Sequence, residues 1–260
     1  MGKICRARLI FLIIFLLVHG AAAQAAAPKV LFQISTLQAL MNGAYGGEFS
    51  FGQLEKHGDF GLGTFAALDG EMVALDGQYY QVKTDGRAYI VNPAQKTPFA
   101  EVTFFKADKT LTLSKPLNLK QLEVYLQKIF PSGNFPCAIK VKGQFAYVKT
   151  RSMPRQTRPY PPLAEVAKHQ AVFEFHDVDG TIVGFYYPKY LGGINVAGYH
   201  FHFLTWDRRA GGHLLDCRIK QAKVELERLN EVRLRLPESA AFSRTDLSRD
   251  KKKEINQVEK

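Results

Sequence analysis

The stretch MVALDGQYYQV at residues 72–82 decides the class of fold. Two short runs of apolar and alternating residues flank the dipeptide Asp76-Gly77, a pair that favours the two-residue turn of a β-hairpin. Successive side chains of a strand point to opposite faces, so a chain built from such segments forms sheets with at least one buried face. The stretch therefore predicts a hairpin within a β-sheet.

The same pattern recurs outward along the chain, where three more pairs of strands are predicted from short alternating or apolar segments. They are residues 138–148 with a turn at 142–143, residues 171–186 with a turn at 177–180, and residues 224–226 paired antiparallel with residues 232–236. Strands therefore predominate.

Two helices stand out from this strand pattern. Asn118 and Gln121 form a capping pattern before apolar residues at helical spacing over residues 119–129, and Pro131 would end that helix. A shorter helix is predicted over residues 36–41. Both helices are predicted to serve packing.

The proline-rich segment at residues 153–162 is predicted to be a stiff connector between two parts of the chain. We expect an α/β (α+β) fold dominated by strands, with few helices. An N-terminal mixed β-sheet region would span residues 26–152, and a C-terminal, mostly antiparallel region with the C-terminal tail would span residues 153–260.

The first 25 residues have the pattern of a secretory signal peptide. Basic residues precede an apolar run at residues 9–18, and small residues follow it, so that cleavage is expected after Ala23 or Ala25. The apolar run is shorter than the roughly 20 residues that a helix needs to cross a bilayer. We therefore expect an exported protein, periplasmic or secreted, with no stable membrane insertion after cleavage.

The composition is that of an ordinary globular chain, with 46% hydrophobic and 23% charged residues among 260. The formal net charge is +11, and it would fall to +8 without the three basic residues of the leader. Because the basic residues are scattered among acids, no nucleic-acid partner is expected. The run of three lysines at residues 251–253 is interpreted as a solvated surface.

Two cysteines lie outside the leader, Cys137 and Cys217. They could form a disulfide in an oxidising compartment, but two isolated thiols favour packed side chains. No CxxC spacing occurs, so a zinc site made of thiolates is not expected.

The stretch HFHFLTW at residues 200–206 carries the most informative pattern. His200 and His202 lie two apart in a predicted strand, so they share a face with imidazoles about 6 to 7 Å apart. A turn over residues 209–212 would bring His213 back across from this pair. Three imidazoles would then converge on one point.

Three neutral nitrogens with an open position are typical of a catalytic zinc site, although iron, manganese or copper would accept the same donors. Ordinary hydrogen-bonded histidines remain the alternative interpretation. An exported zinc hydrolase and a non-enzymatic zinc-binding β-protein are also consistent with the pattern. A cupin or a metallo-β-lactamase is not, because Leu204, Thr205 and Trp206 occupy positions where those families need an acid.

Several blocks of sequence resemble the α-acetolactate decarboxylases, an exported bacterial family that makes acetoin, and the resemblance covers almost the whole chain after the leader. The blocks are FQISTL (32–37), GDFGLGTF (58–65), LDGEM (68–72), KTRS (149–152), GGINVAGYHFHF (192–203) and GGH (211–213).

The resemblance implies roles for seven residues. The zinc-binding residues would be His200, His202 and His213, the same three that the spacing indicates. Catalytic roles would fall to Glu71, Arg151 and Glu259, with Arg151 also binding substrate, and Thr64 would line the substrate pocket.

The implied reaction converts 2-acetolactate to (R)-acetoin and CO2. A divalent cation, zinc or another, would chelate the hydroxyl and ketone oxygens and stabilise an enediolate. Arg151 would orient the substrate. Glu259 would protonate the enediolate on one face, while Glu71 would orient the substrate or touch the metal. The family resemblance also implies a homodimer.

Overall fold

The protein, described by a computed structural model, forms two large β-sheets packed face to face and a small two-stranded sheet. The structure describes residues 28–130, 132–249 and 251–259. The predicted leader over residues 1–25 and the predicted helix stop at Pro131 lie outside the described residues. The strand-dominated fold class is confirmed.

The strands vary from short bridges to ribbons of up to 18 residues. In chain order they are β1 (Val30–Ile34), β2 (Phe49–Ser50), β3 (Phe60–Thr64), β4 (Glu71–Leu75), β5 (Gln78–Val82), β6 (Ala88–Ile90), β7 (Lys96–Thr97), β8 (Ala100–Thr103), β9 (Lys109–Leu113), β10 (Leu117–Asn118), β11 (Cys137–Ser152), β12 (Ala171–Tyr187), β13 (Gly198–Thr205), β14 (Gly211–Arg228) and β15 (Glu231–Arg235). The helices are α1 (Leu37–Met41), α2 (Phe51–Leu54), α3 (Leu119–Ile129), α4 (Leu163–Val166), α5 (Ala240–Arg244) and α6 (Lys252–Glu259).

The first sheet has seven strands in the order β15-β1-β8-β3-β4-β5-β6. It is mixed, because β15 runs parallel to β1 while the other pairs are antiparallel. The predicted hairpin at residues 72–82 is confirmed as β4 and β5. Its turn residues Asp76 and Gly77 have φ values of 52° and 79°, which suit the type I′ turn that this dipeptide favours.

The second sheet is antiparallel and contains the three long strands β11, β12 and β14. Strand β13 pairs with both β12 and β14, so these four strands form a closed circuit. Phe145, Phe203, Ile182 and Val141 belong to the apolar cluster of this sheet.

Two predicted hairpins were wrong, because residues 138–148 and 171–186 each lie within one continuous strand, β11 and β12. The glycines interpreted as turn residues instead allow close strand contact. A Cβ atom on Gly143 would lie 2.2 Å from the carbonyl oxygen of Gln221, and one on Gly180 would lie 2.3 Å from the ring of Phe203. Glycine in a strand often marks such an approach.

The predicted antiparallel pair of residues 224–226 with residues 232–236 was also wrong. Residues 224–226 belong to β14, which pairs with β11 and β9. Residues 232–235 belong to β15, which lies in the first sheet and pairs with β1. Alternation predicts a strand but carries no information about its partner. Sheet membership thus crosses the proposed boundary at residues 152/153, and that division stays a prediction.

Both predicted helices are present. Helix α3 begins after Asn118, whose side chain accepts from the backbone N–H of Gln121 while the Gln121 side chain accepts from the Asn118 N–H. This reciprocal capping box is the one that the sequence indicates. Helix α1 is capped by the hydroxyl of Thr36.

The strand β13 has two buried faces that serve different purposes. Phe201 and Phe203 point into the apolar cluster of the second sheet. Side chains alternate along a strand, so His200 and His202 face the first sheet instead. The apolar residues between the two sheets, such as Leu62, Val73 and Leu204, form a second cluster beside them.

The two cysteines outside the leader, Cys137 and Cys217, are free and buried, as packed side chains. Among the residues that the structure describes, no helix has both the length and the apolar character needed to cross a bilayer.

The carboxyl of Glu227, near the end of β14, is buried far from the histidines. It accepts from the backbone N–H of Lys106 at 3.1 Å, and the Nζ of Lys29 lies 3.9 Å from its other oxygen. Burial raises the pKa of Glu227 to about 7, with Asp108 and Asp59 adding to the rise while Lys106 and Lys29 oppose it.

This burial should make stability depend on pH. Between pH 4.5 and 7 the native state holds a proton that the unfolded chain has released, so the free energy of unfolding should fall as pH rises. The variant Glu227→Gln keeps an acceptor oxygen but cannot ionise. We expect its stability relative to wild type to improve by up to about 3 kcal/mol over that range. Urea titrations of both proteins at several pH values measure this change, and a pH-independent difference would contradict it.

Candidate metal centre

Three imidazoles converge between the two sheets. His202 on β13 and His213 on β14 are paired across the ladder, and His200 lies two residues before His202 on the same face. The ring centroids are 5.1 to 5.2 Å apart, and one ring nitrogen from each residue lies within 4.8 Å of the others. All three side chains are buried. The predicted convergence is therefore present.

The connection between the two histidine strands differs from the prediction. The turn lies at residues 206–209, and Gly211 and Gly212 belong to β14 rather than to the turn. A Cβ atom on Gly211 would lie 2.1 Å from the carbonyl oxygen of Phe203, and one on Gly212 would lie 2.4 Å from that of Arg151. These glycines let β14 approach its neighbours closely, which places His213 beside the other two imidazoles.

Two of the three imidazoles have an oxygen of the first sheet close to their Nδ1 atom. The Nδ1 of His202 lies 2.8 Å from the carbonyl oxygen of Met72, to which it donates. The Nδ1 of His200 lies 3.3 Å from Oε1 of Glu101. A hydrogen bond to one ring nitrogen leaves the other free to bind a metal ion.

The electrostatics of the centre keep imidazoles in the metal-binding form. Burial lowers the pKa of His202 and of His213 well below the ordinary value, and Arg151 adds to the effect at both. Neutral imidazole is the ligand form of histidine.

The donor set fits a metal ion. The Nε2 of His213 and the Oε2 of Glu259 are buried and have no hydrogen-bond partner among the described residues. A buried polar atom without a partner costs about 1–3 kcal/mol unless something binds it. Three imidazole nitrogens are suitable ligands for a divalent transition-metal ion.

Arg151 links two carboxyl groups beside the imidazoles. It lies on β11, opposite His213 in the ladder, and is 2% exposed. Its Nη1 donates to Oε1 of Glu71 at 3.3 Å, its Nη2 donates to the carbonyl oxygen of Val258 at 3.0 Å, and Oε1 of Glu259 lies 3.8 Å from Nη2. The three charged residues implied by the resemblance thus lie together.

Each carboxyl also reaches the imidazoles. Oε2 of Glu71 lies 3.8 Å from Nε2 of His202, and Oε2 of Glu259 lies 3.3 Å from Nε2 of His200. Burial raises the pKa of Glu71 to about 7, although Arg151 opposes the rise. Burial likewise raises the pKa of Glu259.

Thr64 contributes through its position. In the antiparallel ladder between β3 and β4, Thr64 lies opposite Glu71. The Thr64 hydroxyl donates to the carbonyl oxygen of Gly70 at 2.7 Å. It also lines the pocket beside the histidines. The rest of the pocket wall is largely apolar and comprises Leu37, Leu40, Leu68, Phe99, Met153 and Leu163.

Helix α6 covers one side of this pocket. Ile255 and Val258 are buried in an apolar cluster with residues of α1 and α4, and Glu259 ends the helix inside the site. The pocket is thus bounded by two sheets and a helix.

The sequence interpretation missed Glu101, which lies in β8 and is fully buried next to His200. The indication was available, because Glu101 is the one acid in the otherwise apolar or hydroxyl-bearing stretch FAEVTF at residues 99–104. A buried acid in such a strand is uncommon unless it is paired.

The described residues thus define a protein with a buried three-histidine site able to hold a metal ion, flanked by an arginine and two glutamates. The family model for alpha-acetolactate decarboxylase matches residues 31–249 of the chain.

Relatives of known family agree with this match. An alpha-acetolactate decarboxylase of Methanosarcina mazei is 48% identical over 234 residues, covering 90% of this chain and 81% of the relative. One of Methylococcus capsulatus is 46% identical, covering 88% of each. The crystal structure of alpha-acetolactate decarboxylase from Bacillus subtilis strain 168 superimposes with a TM-score of 0.87 at 38% identity, covering 88% of this chain and 99% of that one. The chain belongs to the alpha-acetolactate decarboxylase family, and it is a decarboxylase, a lyase.

Proposed function

We propose that the chain converts 2-acetolactate to (R)-acetoin and CO2 in the pocket between the two sheets. The observation that carries this proposal is the convergence of three imidazoles, one guanidinium and two carboxyls in one buried pocket of a chain from this family. Family membership favours this lyase reaction over the zinc hydrolase and the zinc-binding protein that the histidines alone would permit.

His200, His202 and His213 would hold the metal ion, for which we propose Zn²⁺, since three neutral nitrogens with open positions suit it. Another divalent cation would fit the same donors. When bound, the ion supplies positive charge that stabilises negative charge developing on substrate oxygens.

Arg151 would bind and orient the substrate. Its two terminal nitrogens are engaged by Glu71 and by the carbonyl of Val258, which hold the guanidinium in place. Its Nε is buried and has no partner within the described part of the chain. A guanidinium that is always charged and rigidly held can orient a carboxylate or a polar substrate oxygen. The apolar wall would accept the methyl groups of 2-acetolactate and exclude water.

Glu259 would deliver a proton to one face of the enediolate that remains after CO2 leaves, which yields acetoin of a single hand. Burial favours the protonated form of such a carboxyl. Glu71, held by Arg151 and close to His202, would orient the substrate. Thr64, which supports the backbone before Glu71, would complete the pocket.

The test is to incubate the purified, zinc-loaded protein with racemic 2-acetolactate while following CO2 release and acetoin formation. Chiral gas chromatography of the acetoin should show the R enantiomer in excess. The control is the spontaneous reaction without protein. A rate of acetoin formation equal to that control would contradict the proposed function, and racemic acetoin would contradict protonation on one face.

Two further proposals concern the whole protein. We propose that it is exported, on the basis of the basic, apolar and small-residue segments in residues 1–25, and that it forms a homodimer, as the resemblance implies. N-terminal sequencing of the protein recovered outside the cytoplasm tests the first, and light scattering tests the second.

A further inference from the structure

Glu101 lies on β8 of the first sheet, with its side chain fully buried between the sheets. Its Oε1 lies 3.3 Å from the Nδ1 of His200. Its Oε2 accepts from the hydroxyl of Tyr187 and from the Nδ2 of Asn195. The residue is not part of the pocket wall, and the proposed mechanism does not use it.

The hydrogen bonds that lead from Gln33 through Asn195 to Glu101 can run in one direction only, from donor to acceptor. The Nε2 of Gln33 donates to the carbonyl oxygens of Ser35 and Ile194, at 2.8 and 2.9 Å. Reversing this amide would set its oxygen against two carbonyl oxygens, so the oxygen must face the other way. There it accepts from the Nδ2 of Asn195 at 3.0 Å.

The side-chain amide of Asn195 is also fixed in one orientation. Its Oδ1 accepts from the backbone N–H of Val196 at 2.7 Å, which leaves its Nδ2 to donate. That nitrogen has two hydrogens, one for Gln33 and one for Glu101 at 2.5 Å. Every group that contacts Oε2 of Glu101 is therefore a donor, so this oxygen is held as an acceptor and the other oxygen is turned toward His200.

The remaining oxygen faces His200. Oε1 of Glu101 and Nδ1 of His200 face each other at 3.3 Å, and neither atom has a hydrogen-bond partner elsewhere or in fully formed geometry among the described residues, so each is the polar group open to the other. With Oε2 already accepting two hydrogen bonds, an ionised Glu101 presents Oε1 to His200 as an acceptor, so the hydrogen between these two atoms would be carried by Nδ1 of His200. An imidazole with its hydrogen on Nδ1 has its lone pair on Nε2. That Nε2 faces the site, where Glu259 lies 3.3 Å away.

We propose that Glu101 is a positioning residue that holds His200 in the tautomer and orientation required for its Nε2 to bind the metal ion. Gln33, Asn195 and Tyr187 keep Oε2 of Glu101 an acceptor and thereby hold Oε1 against His200. The carbonyl of Met72 gives His202 the same support, so two of the three imidazoles are oriented by groups of the first sheet. The inference rests on the metal centre in the proposed function. Such outer partners of metal-binding histidines typically change metal affinity by about 10- to 100-fold.

The variant Glu101→Gln tests the direction of the hydrogen bond. Asn195 and Tyr187 would hold the new amide oxygen, so the amide nitrogen would face His200 and donate. His200 would then have to accept at Nδ1 and carry its hydrogen on Nε2, which cannot bind a metal ion. We expect Zn²⁺ affinity, measured by competition with a chromogenic chelator after metal removal, to fall by about 10- to 100-fold. A shift in the absorption spectrum of the Co²⁺-loaded variant would report the altered geometry.

The matched control is Glu227→Gln, which makes the same change at a buried glutamate away from the histidines and should leave Zn²⁺ affinity unchanged. A second variant, Tyr187→Phe, removes one donor to Glu101 and should weaken Zn²⁺ binding less. Folding of each variant is checked by circular dichroism.

A folded Glu101→Gln protein with wild-type Zn²⁺ affinity and an unchanged Co²⁺ spectrum would overturn the proposal. If that variant does not fold, wild-type affinity in Tyr187→Phe would overturn it. Failure of the proposed function gives a different result. A wild-type protein that binds Zn²⁺ but does not release CO2 from 2-acetolactate would contradict the proposed function, while the Zn²⁺ affinities of the variants could still be compared.

Discussion

Replacing His202 by alanine should remove both the bound metal ion and the decarboxylase activity. The imidazole is buried, burial lowers its pKa and so favours the neutral form, and its Nδ1 is held by the carbonyl of Met72, so its loss removes one of three fixed nitrogen donors. Stabilisation of developing charge by a metal ion amounts to several kcal/mol, so we expect turnover to fall by about 1000-fold or more. His200→Ala and His213→Ala should behave alike.

Metal content by elemental analysis and CO2 release from 2-acetolactate measure this result together. The matched control is His169→Ala, since His169 is exposed and does not line the pocket that holds the three imidazoles. That variant should keep both metal and activity. A His202→Ala protein that has lost its metal but still releases CO2 at the wild-type rate would remove the metal from the proposed reaction.

Replacing Glu259 by glutamine should slow turnover while the protein stays folded. The side chain is buried against Arg151 and two imidazoles, and glutamine keeps its volume but cannot deliver a proton. General acid catalysis typically contributes about 100- to 10,000-fold, so we expect a loss of kcat in that range. The acetoin that forms should also lose its excess of one enantiomer.

Glu254→Gln is the matched control because Glu254 lies on the same helix but pairs with Lys251 instead of reaching the site. It should leave kcat unchanged. Steady-state kinetics and chiral analysis of acetoin measure both variants. If Glu259→Gln retained full kcat and made (R)-acetoin, Glu259 would not be the proton donor, and Glu71 would become the candidate.

Local chemistry accounts for the parts of the fold that could be predicted. The turn at Asp76 and Gly77 and the cap at Asn118 depend on residues within a few positions of one another, and both are present. The predicted turns at residues 142–143 and 177–180 failed because glycine has two uses. It permits a turn, and it also permits close packing between strands, and only the partner strand decides between them.

The candidate site shows the same limit. His200 and His202 could be found because strand alternation places them on one face, and His213 because it follows closely. Glu71, Arg151 and Glu259 are far apart in the chain, so the resemblance, not their spacing, indicated them. Glu101 lies 99 residues before His200, and nothing local shows that the two meet. Such contacts depend on how the two sheets dock.

The division of the centre between the sheets links metal supply to folding. The imidazoles come from the second sheet, whereas Glu71, Glu101 and the carbonyl of Met72, which orient or flank them, come from the first. An ion that binds only when both halves are in place stabilises their assembly by mass action. The thermal midpoint of this enzyme should therefore rise with the concentration of a free divalent metal ion that the histidines bind, and metal removal should lower it.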